Sequence, residues 1–238
     1  MLITGFPAGM FATNCYVVAN GAGSDAIIID PGQDAAPGVR EILAEHRLNP
    51  VAVLLTHGHL DHTWNAAELC DEFTIPAYIH PADRPMLADP GVGIGRAMSQ
   101  IIGDTVFREP EKVIELTDRE TIDVGGISFS VDLAPGHTQG SVLFGIDVVT
   151  PEGTAAVCFS GDVLFAGSIG RTDLPGGSHQ QLLDSIADRL LPLDDNTVVL
   201  PGHGEQTNIG RERATNPFLA DLTASGSADQ PKKGRHGL

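Results

Sequence analysis

Four short strand-like runs in this chain end alike, in a tight turn that hands over a histidine or an aspartate. Residues 51–55 lead into Thr56-His57-Gly58-His59-Leu60-Asp61-His62, and residues 129–133 lead into Ala134-Pro135-Gly136-His137. Residues 155–159 lead into Ser160-Gly161-Asp162, and residues 198–200 lead into Pro201-Gly202-His203. Loops at strand ends are where a rigid scaffold presents functional groups, so the four turns ask for a fold that gathers those ends in one place. A glycine directly before His137, Asp162 and His203 lets the backbone bend sharply and crowd toward a centre.

The stretches between these runs alternate short apolar strands with polar, helix-like segments. Residues 15–19 and 26–29 read as strands joined by the turn Asn20-Gly21-Ala22-Gly23, and Asp30-Pro31-Gly32 stops the second of them. Apolar spacing predicts helices over 39–48, 64–71, 180–191 and 210–222. Further strands are expected over 77–79, 122–124, 127–133 and 142–146, with Gly125-Gly126 as a hairpin turn. Residues 89–104 are Gly-rich and read as a surface loop. The expectation is one α/β domain over residues 1–222, followed by a flexible tail at 223–238 that lacks apolar periodicity.

The chain's 238 residues are enough for a substantial core without disulfide staples. Its three cysteines, Cys15, Cys70 and Cys158, are widely spaced and form no C-x-x-C, which fits packed thiols in a reducing compartment. With 31 acidic against 14 basic side chains, the net charge is −17. Lys232, Lys233 and Arg235 all lie in the tail, so the body lacks the basic track that a nucleic-acid binder needs. An anionic small molecule would likewise need a local positive centre. No apolar run approaches the ~20 residues of a membrane span, and no Lys or Arg precedes Arg40 to make a signal-peptide n-region. A cytoplasmic protein without nucleic-acid or membrane partners is the expectation; the oligomeric state is not readable.

If residues 57–62 are extended, alternation puts His57, His59 and Asp61 on one side, and His62 breaks the pattern. That asymmetry suits two adjacent metal ions. With Asp162 as a bridge, His57, His59, His137 and Asp162 would hold one ion, and Asp61, His62, His203 and Asp162 the other. Each ion would keep an open position for water. Imidazole and carboxylate ligands accept zinc, iron or manganese, and affinity ordering alone does not choose among them; zinc is the expectation. His46, His80, His179 and His236 lie outside these turns and read as ordinary surface or core residues.

Thr56-His57-Gly58-His59-Leu60-Asp61-His62, with the later His137, Asp162 and His203, resembles the metallo-β-lactamase fold superfamily over roughly residues 3–222. The resemblance implies a four-layer αββα sandwich with metals at one edge between two sheets. Ser160-Gly161-Asp162-Val163-Leu164-Phe165, Gly170-Arg171-Thr172-Asp173, Thr207-Asn208-Ile209-Gly210 and Asn216-Pro217 resemble the short glyoxalase II-like hydrolases. The C-terminal helical domain that contacts glutathione in full-length glyoxalase II has no counterpart in the residues after His203.

This branch implies a thioester hydrolase acting on an acylated low-molecular-weight thiol such as S-lactoylglutathione. A water held by two metals is acidified from a pKa near 15.7 toward ~7 and attacks the carbonyl. The thiolate leaves without a dedicated general acid, since thiol pKa values lie near ~8.5. Asp61 and Asp162 are the expected catalytic carboxylates, and Arg171 or Arg211 could attract a carboxylated substrate. Against those roles, Arg171 reads equally as a surface ion pair, and Arg211 as a helix-surface residue. The alternative is a persulfide dioxygenase with one iron on His57, His137 and Asp162. A further alternative is a metal-binding protein without turnover.

Overall fold

In a computed structural model, residues 1–95, 105–151, 153–220 and 222 are described. The expected tail at 223–238, His236 within it, and most of the expected loop at 89–104 lie outside them. The first sheet has the order β1 (Leu2–Ala8), β2 (Thr13–Ala19), β3 (Asp25–Ile29), β4 (Asn49–Leu54), β5 (Ala77–Ile79) and β6 (Val113–Glu115). Pairing is antiparallel across β1, β2 and β3 and parallel from β3 to β6. The second sheet contains β7 (Glu120–Val124), β8 (Ile127–Leu133), β9 (Val142–Thr150), β10 (Gly153–Gly161), β13 (Val198–Pro201) and β14 (Thr207–Asn208), in the order β14-β13-β10-β9-β8-β7. Between β10 and β13, β11 (Leu164–Phe165) and β12 (Ser168–Ile169) make a separate hairpin.

Strand periodicity builds the layers. Tyr16, Val18, Ile27, Ile29, Ala52 and Leu54 point from the first sheet into the seam between the sheets. They meet Phe129, Val131, Phe144, Ile146 and Phe159 of the second sheet. The intervening residues Cys15, Val17, Ile28 and Val53 face outward onto α1 (Ala35–His46) and α3 (Ala66–Phe73). On the other side Leu143, Cys158 and Val199 are covered by Leu182 of α5 (His179–Ser185), by Ile186 and Leu190 of the π-helical turn that continues it, and by Ile209 of α6 (Ile209–Thr215). The result is the expected αββα sandwich. Phe129, Phe144 and Phe159 are fully buried in the seam, where truncation of one to alanine costs about 3–5 kcal/mol. Cys15, Cys70 and Cys158 are buried free thiols. Burial pushes the Cys70 and Cys158 thiols up to about 12, so they pack rather than react.

Several elements differ from the sequence expectation. Strand β1 was not anticipated, because Gly5 and Pro7 interrupt its pattern; as an edge strand it tolerates the missing N–H of Pro7. Helix α1 begins at Ala35 rather than near residue 39, since Pro37 falls in its first turn, where proline is harmless. The single helix expected over 210–222 is two pieces. Asn216 ends α6, and its side chain accepts from Phe218 N at 3.0 Å to cap the 3-10 turn Pro217–Leu219. Gly91–Ile94 forms one helical turn, α4, within the stretch read as a loop.

Candidate metal centre

The four delivering turns lie together at one edge of the sandwich, at the C-terminal ends of β4, β8, β10 and β13. Segment 57–62 is not extended throughout. His59 has extended backbone and caps α2 (Leu60–Thr63), so a helical turn rather than strand alternation sends Asp61 and His62 to a second cluster. Two close approaches hold the edge together. A Cβ at Gly202 would lie against Asp162 Oδ1 and His62 Cε1. Gly161 adopts φ 47°, and a Cβ there would lie against Thr56 Oγ1.

Three groups of facing side chains result: His57, His59 and His137; His57, His62 and Asp162; and Asp61, His62 and His203. His59 Nδ1 stands 2.8 Å from His137 Nε2, which is 3.2 Å from His57 Nε2 and 3.6 Å from Asp162 Oδ2. In the neighbouring group, His62 Nε2 is 3.5 Å from Asp61 Oδ2 and 3.3 Å from Asp162 Oδ1. His203 Nε2 is 3.1 Å from Asp61 Oδ2 and 3.5 Å from Asp162 Oδ2. Ligands ~2.0–2.1 Å from one tetrahedral ion lie ~3.3 Å from each other. Both groups have edges of that length, and Asp162 faces both.

The hydrogen bonds behind the imidazoles fix which nitrogen is presented. Arg171 O can only accept, so His137 Nδ1 donates to it at 2.8 Å and leaves Nε2 bare. His203 Nδ1 donates to Phe11 O at 3.1 Å, and His62 Nδ1 donates to Asp30 Oδ2 at 2.9 Å. Thr56 Oγ1 gives its hydrogen to Asp30 Oδ2 at 2.6 Å and so accepts from His57 Nδ1 at 3.1 Å. His62 Nε2 and Asp162 Oδ1 are buried without a hydrogen-bond partner. Orphaned atoms of this kind, inside a set of imidazoles and carboxylates, fit a divalent cation.

Electrostatics agree. Burial, then neighbouring imidazoles, holds His57 well below the usual histidine range and lowers His59 to about 3, so both are neutral ligand forms. His62 rises despite burial because Asp162, Asp61 and Asp30 surround it. His203 also rises against burial, chiefly through Asp61. Asp61 and Asp162 fall below the ordinary carboxylate range: burial opposes this, but His62 and the other surrounding imidazoles together outweigh it. A bound cation would take the place of those protons.

Three carboxylates that sequence reading left without a role support the site. Asp30, noted only as part of a turn, orients both Thr56 and His62. Asp83 is fully buried and ties the His57–His59 loop to the His137 loop. It accepts from Gly58 N at 2.8 Å, Thr138 Oγ1 at 2.6 Å and Gly140 N at 2.8 Å. Glu212 is also fully buried, and it accepts from Gly167 N, Thr207 Oγ1 and Asn216 Nδ2, bracing the β11–β12 hairpin. Asp30 and Asp83 draw their partners from distant segments, so no local pattern announces them, whereas Glu212 joins the nearby Thr207 and Asn216 to the distant Gly167.

The groups open into a cavity of about 390 Å³ walled by Phe11, Leu60, Ile94, Phe165, Ile169 and Leu174. Arg171 lines its mouth, with its Nε and one terminal nitrogen each 2.8 Å from Asp173 carboxylate oxygens. Arg211 is exposed at the start of α6 and is not among the cavity-lining residues. No helix among the described residues is long and apolar enough to cross a membrane.

A family model described as the metallo-beta-lactamase superfamily matches residues 8–203. The chain belongs to this superfamily. An uncharacterized protein of Mycobacterium tuberculosis (strain ATCC 25618 / H37Rv) is 55% identical over 224 residues, covering 94% of this chain and 100% of that protein. Hydroxyacylglutathione hydrolase GloC of Haemophilus influenzae is 35% identical over 218 residues, 90% of this chain and 95% of the relative. Among solved structures, BLEG-1 B3 metallo-beta-lactamase superposes with a TM-score of 0.80 at 40% identity, covering 92% of this chain and 99% of that one. TTHA1623, in a di-iron-bound form, superposes at 0.73 with 36% identity, covering 91% and 100%.

Proposed function

We propose that this superfamily member is a metal-dependent hydrolase that cleaves the thioester of an acylated low-molecular-weight thiol. The observation that carries the reading is the set of adjacent ligand groups, with Asp162 facing His62, His137 and His203, that opens into one small-molecule cavity. Two divalent ions, zinc or alternatively iron or manganese, would be held by His57, His59, His137 and Asp162 and by Asp61, His62, His203 and Asp162. Bound there, they would supply an acidified water and Lewis-acid stabilisation of a carbonyl oxygen. The residues do the rest. Asp61, held by Thr13 Oγ1 at 3.1 Å, would orient a water in the cavity and take its proton. Leu60, Ile169 and Phe165 exclude bulk solvent. A thiolate needs no protonation to depart, and no further acid is required.

The 35% identity with GloC supports the thioesterase reading, and the di-iron form of TTHA1623 supports two metals. The likeness to a B3 metallo-beta-lactamase makes β-lactam hydrolysis the rival. A mononuclear persulfide dioxygenase would leave Asp61, His62 and His203 gathered without purpose. The deciding experiment assays the metal-loaded protein on S-lactoylglutathione, nitrocefin and glutathione persulfide, with and without chelator. Chelator-sensitive thioester hydrolysis at two metals per chain is expected. Turnover of nitrocefin alone, or oxygen consumption with the persulfide at one iron per chain, would overturn the reading.

A further inference from the structure

Among the described residues, the walls of the cavity are unlike those a thiol conjugate with two carboxylates asks for. Beyond the candidate metal ligands, its lining among the described residues is Phe11, Leu60, Ile94, Phe165, Ile169 and Leu174, together with Ser168 and Arg171. Arg171 is the cation among these residues, and Asp173 already takes it in a two-pronged pair. That pair holds the Asp173 carboxyl down at about 2. A substrate carboxylate would have to displace Asp173 or accept the outer edge of the guanidinium. The net charge of −17 adds long-range repulsion of anions. Apolar contact, in contrast, is ready-made. Phe165, Ile94 and Leu174 are only half-buried and so retain surface for a ligand, and the Phe165 ring sits 6.1 Å from the His203 ring, beside the candidate metals.

Resting on the thioesterase reading above, we propose that the cavity selects its substrate by the acyl group, taking an aliphatic acyl chain between Phe165, Ile94 and Leu174 while the thiol carrier stays largely unrecognised. The reaction is hydrolysis: a C–O bond forms to the water oxygen and the C–S bond breaks. A carboxylate and a thiol result, with one proton released. The rear of the cavity holds the carbonyl against the ligand groups, and the chain lies along its apolar wall. At about 390 Å³ the space is near the lower end of small-molecule sites (~300–1,000 Å³), which suits a short to medium chain rather than a long lipid.

The test uses the metal-loaded full chain with N-acetylcysteamine thioesters of acetate, butanoate and hexanoate, and with the lactoyl and hexanoyl thioesters of glutathione. Full burial of each added methylene raises kcat/KM about fourfold; partial burial still gives roughly tenfold from acetyl to hexanoyl on the same scale. The preference should hold on either carrier. Phe165→Ala and Leu174→Ala should each shrink the hexanoyl-to-acetyl ratio, and Phe165→Leu should restore part of it. Calorimetry of hexanoate against acetate provides a readout without turnover, with hexanoate binding the tighter. Thioester hydrolysis that is flat with chain length, or that favours lactoylglutathione, overturns the acyl proposal and leaves the thioesterase reading standing. Hexanoate binding with no thioester hydrolysed overturns the thioesterase reading instead. Equal binding of acetate and hexanoate refutes the apolar subsite whatever the turnover.

Discussion

Replacing Asp83 with alanine should destabilise the protein and weaken the first metal group without touching a candidate ligand. The carboxylate accepts from Gly58 N, Gly140 N and Thr138 Oγ1 in a fully buried position. Alanine strands two buried backbone N–H groups at ~1–3 kcal/mol each; Thr138 keeps Ser141 Oγ at 2.7 Å and adds little. A net loss of about 4 kcal/mol follows, a large part of the ~5–15 kcal/mol typical of a folded protein. For a chain of this size that lowers the melting temperature by about 8–16 °C. Because Gly58 lies between His57 and His59, and Gly140 follows His137, chelator competition should show the first ion held about 10–100-fold more weakly. Asp83→Asn separates the causes: its carbonyl can still serve Gly58 and Thr138, but its NH₂ meets the Gly140 N–H, so about half the loss is expected. Burial raises the Asp83 carboxyl above its ordinary value. The folded state therefore binds the proton more tightly than the unfolded chain, and this group removes stability as pH rises from the ordinary carboxylate range through the raised value. Asp83→Asn should lack that downward slope. Unchanged melting and unchanged metal affinity in Asp83→Ala would refute the reasoning.

Asp162→Ala removes the residue facing both groups, and elemental analysis should show loss of both ions; two retained per chain would rule out the shared ligand. His203→Ala should reduce occupancy selectively, from two ions toward one, and equal metal content with an equal rate would defeat the binuclear assignment. Glu212→Ala should release the β11–β12 hairpin that carries Phe165. The expected signature is a raised KM at full metal content, and a KM equal to that of the parent protein would show that the brace does not shape the cavity.

The candidate ligands were legible because each follows a strand and a turn residue, a local arrangement written in consecutive letters. Alternation over residues 57–62 put Asp61 on the side of His57 and His59, whereas the structure sets it against His62 and His203. A helix that starts at Leu60 turns Asp61 away while His62 stays beside His57 as well, and residues 57–62 do not show that His59 will act as its cap. Edge strand β1 was hidden by Gly5 and Pro7, which weaken a strand signal that pairing with β2 outweighs. Asp30 and Asp83 were hidden for another reason. Nothing in the letters around Asp83 reveals that Gly58 and Gly140 will point their N–H groups at it, because those contacts exist only once the sheets have closed.

His57, His59, Asp61 and His62 all leave the first sheet, whereas His137, Asp162 and His203 all leave the second. An ion seated among them is thus a fastener across the sandwich seam, and neither half of the chain carries a full set of donors. Ion retention then reports whether the two halves are docked. Amide exchange along β4 and β10 should quicken together when chelator strips the site, as the two layers begin to breathe against each other.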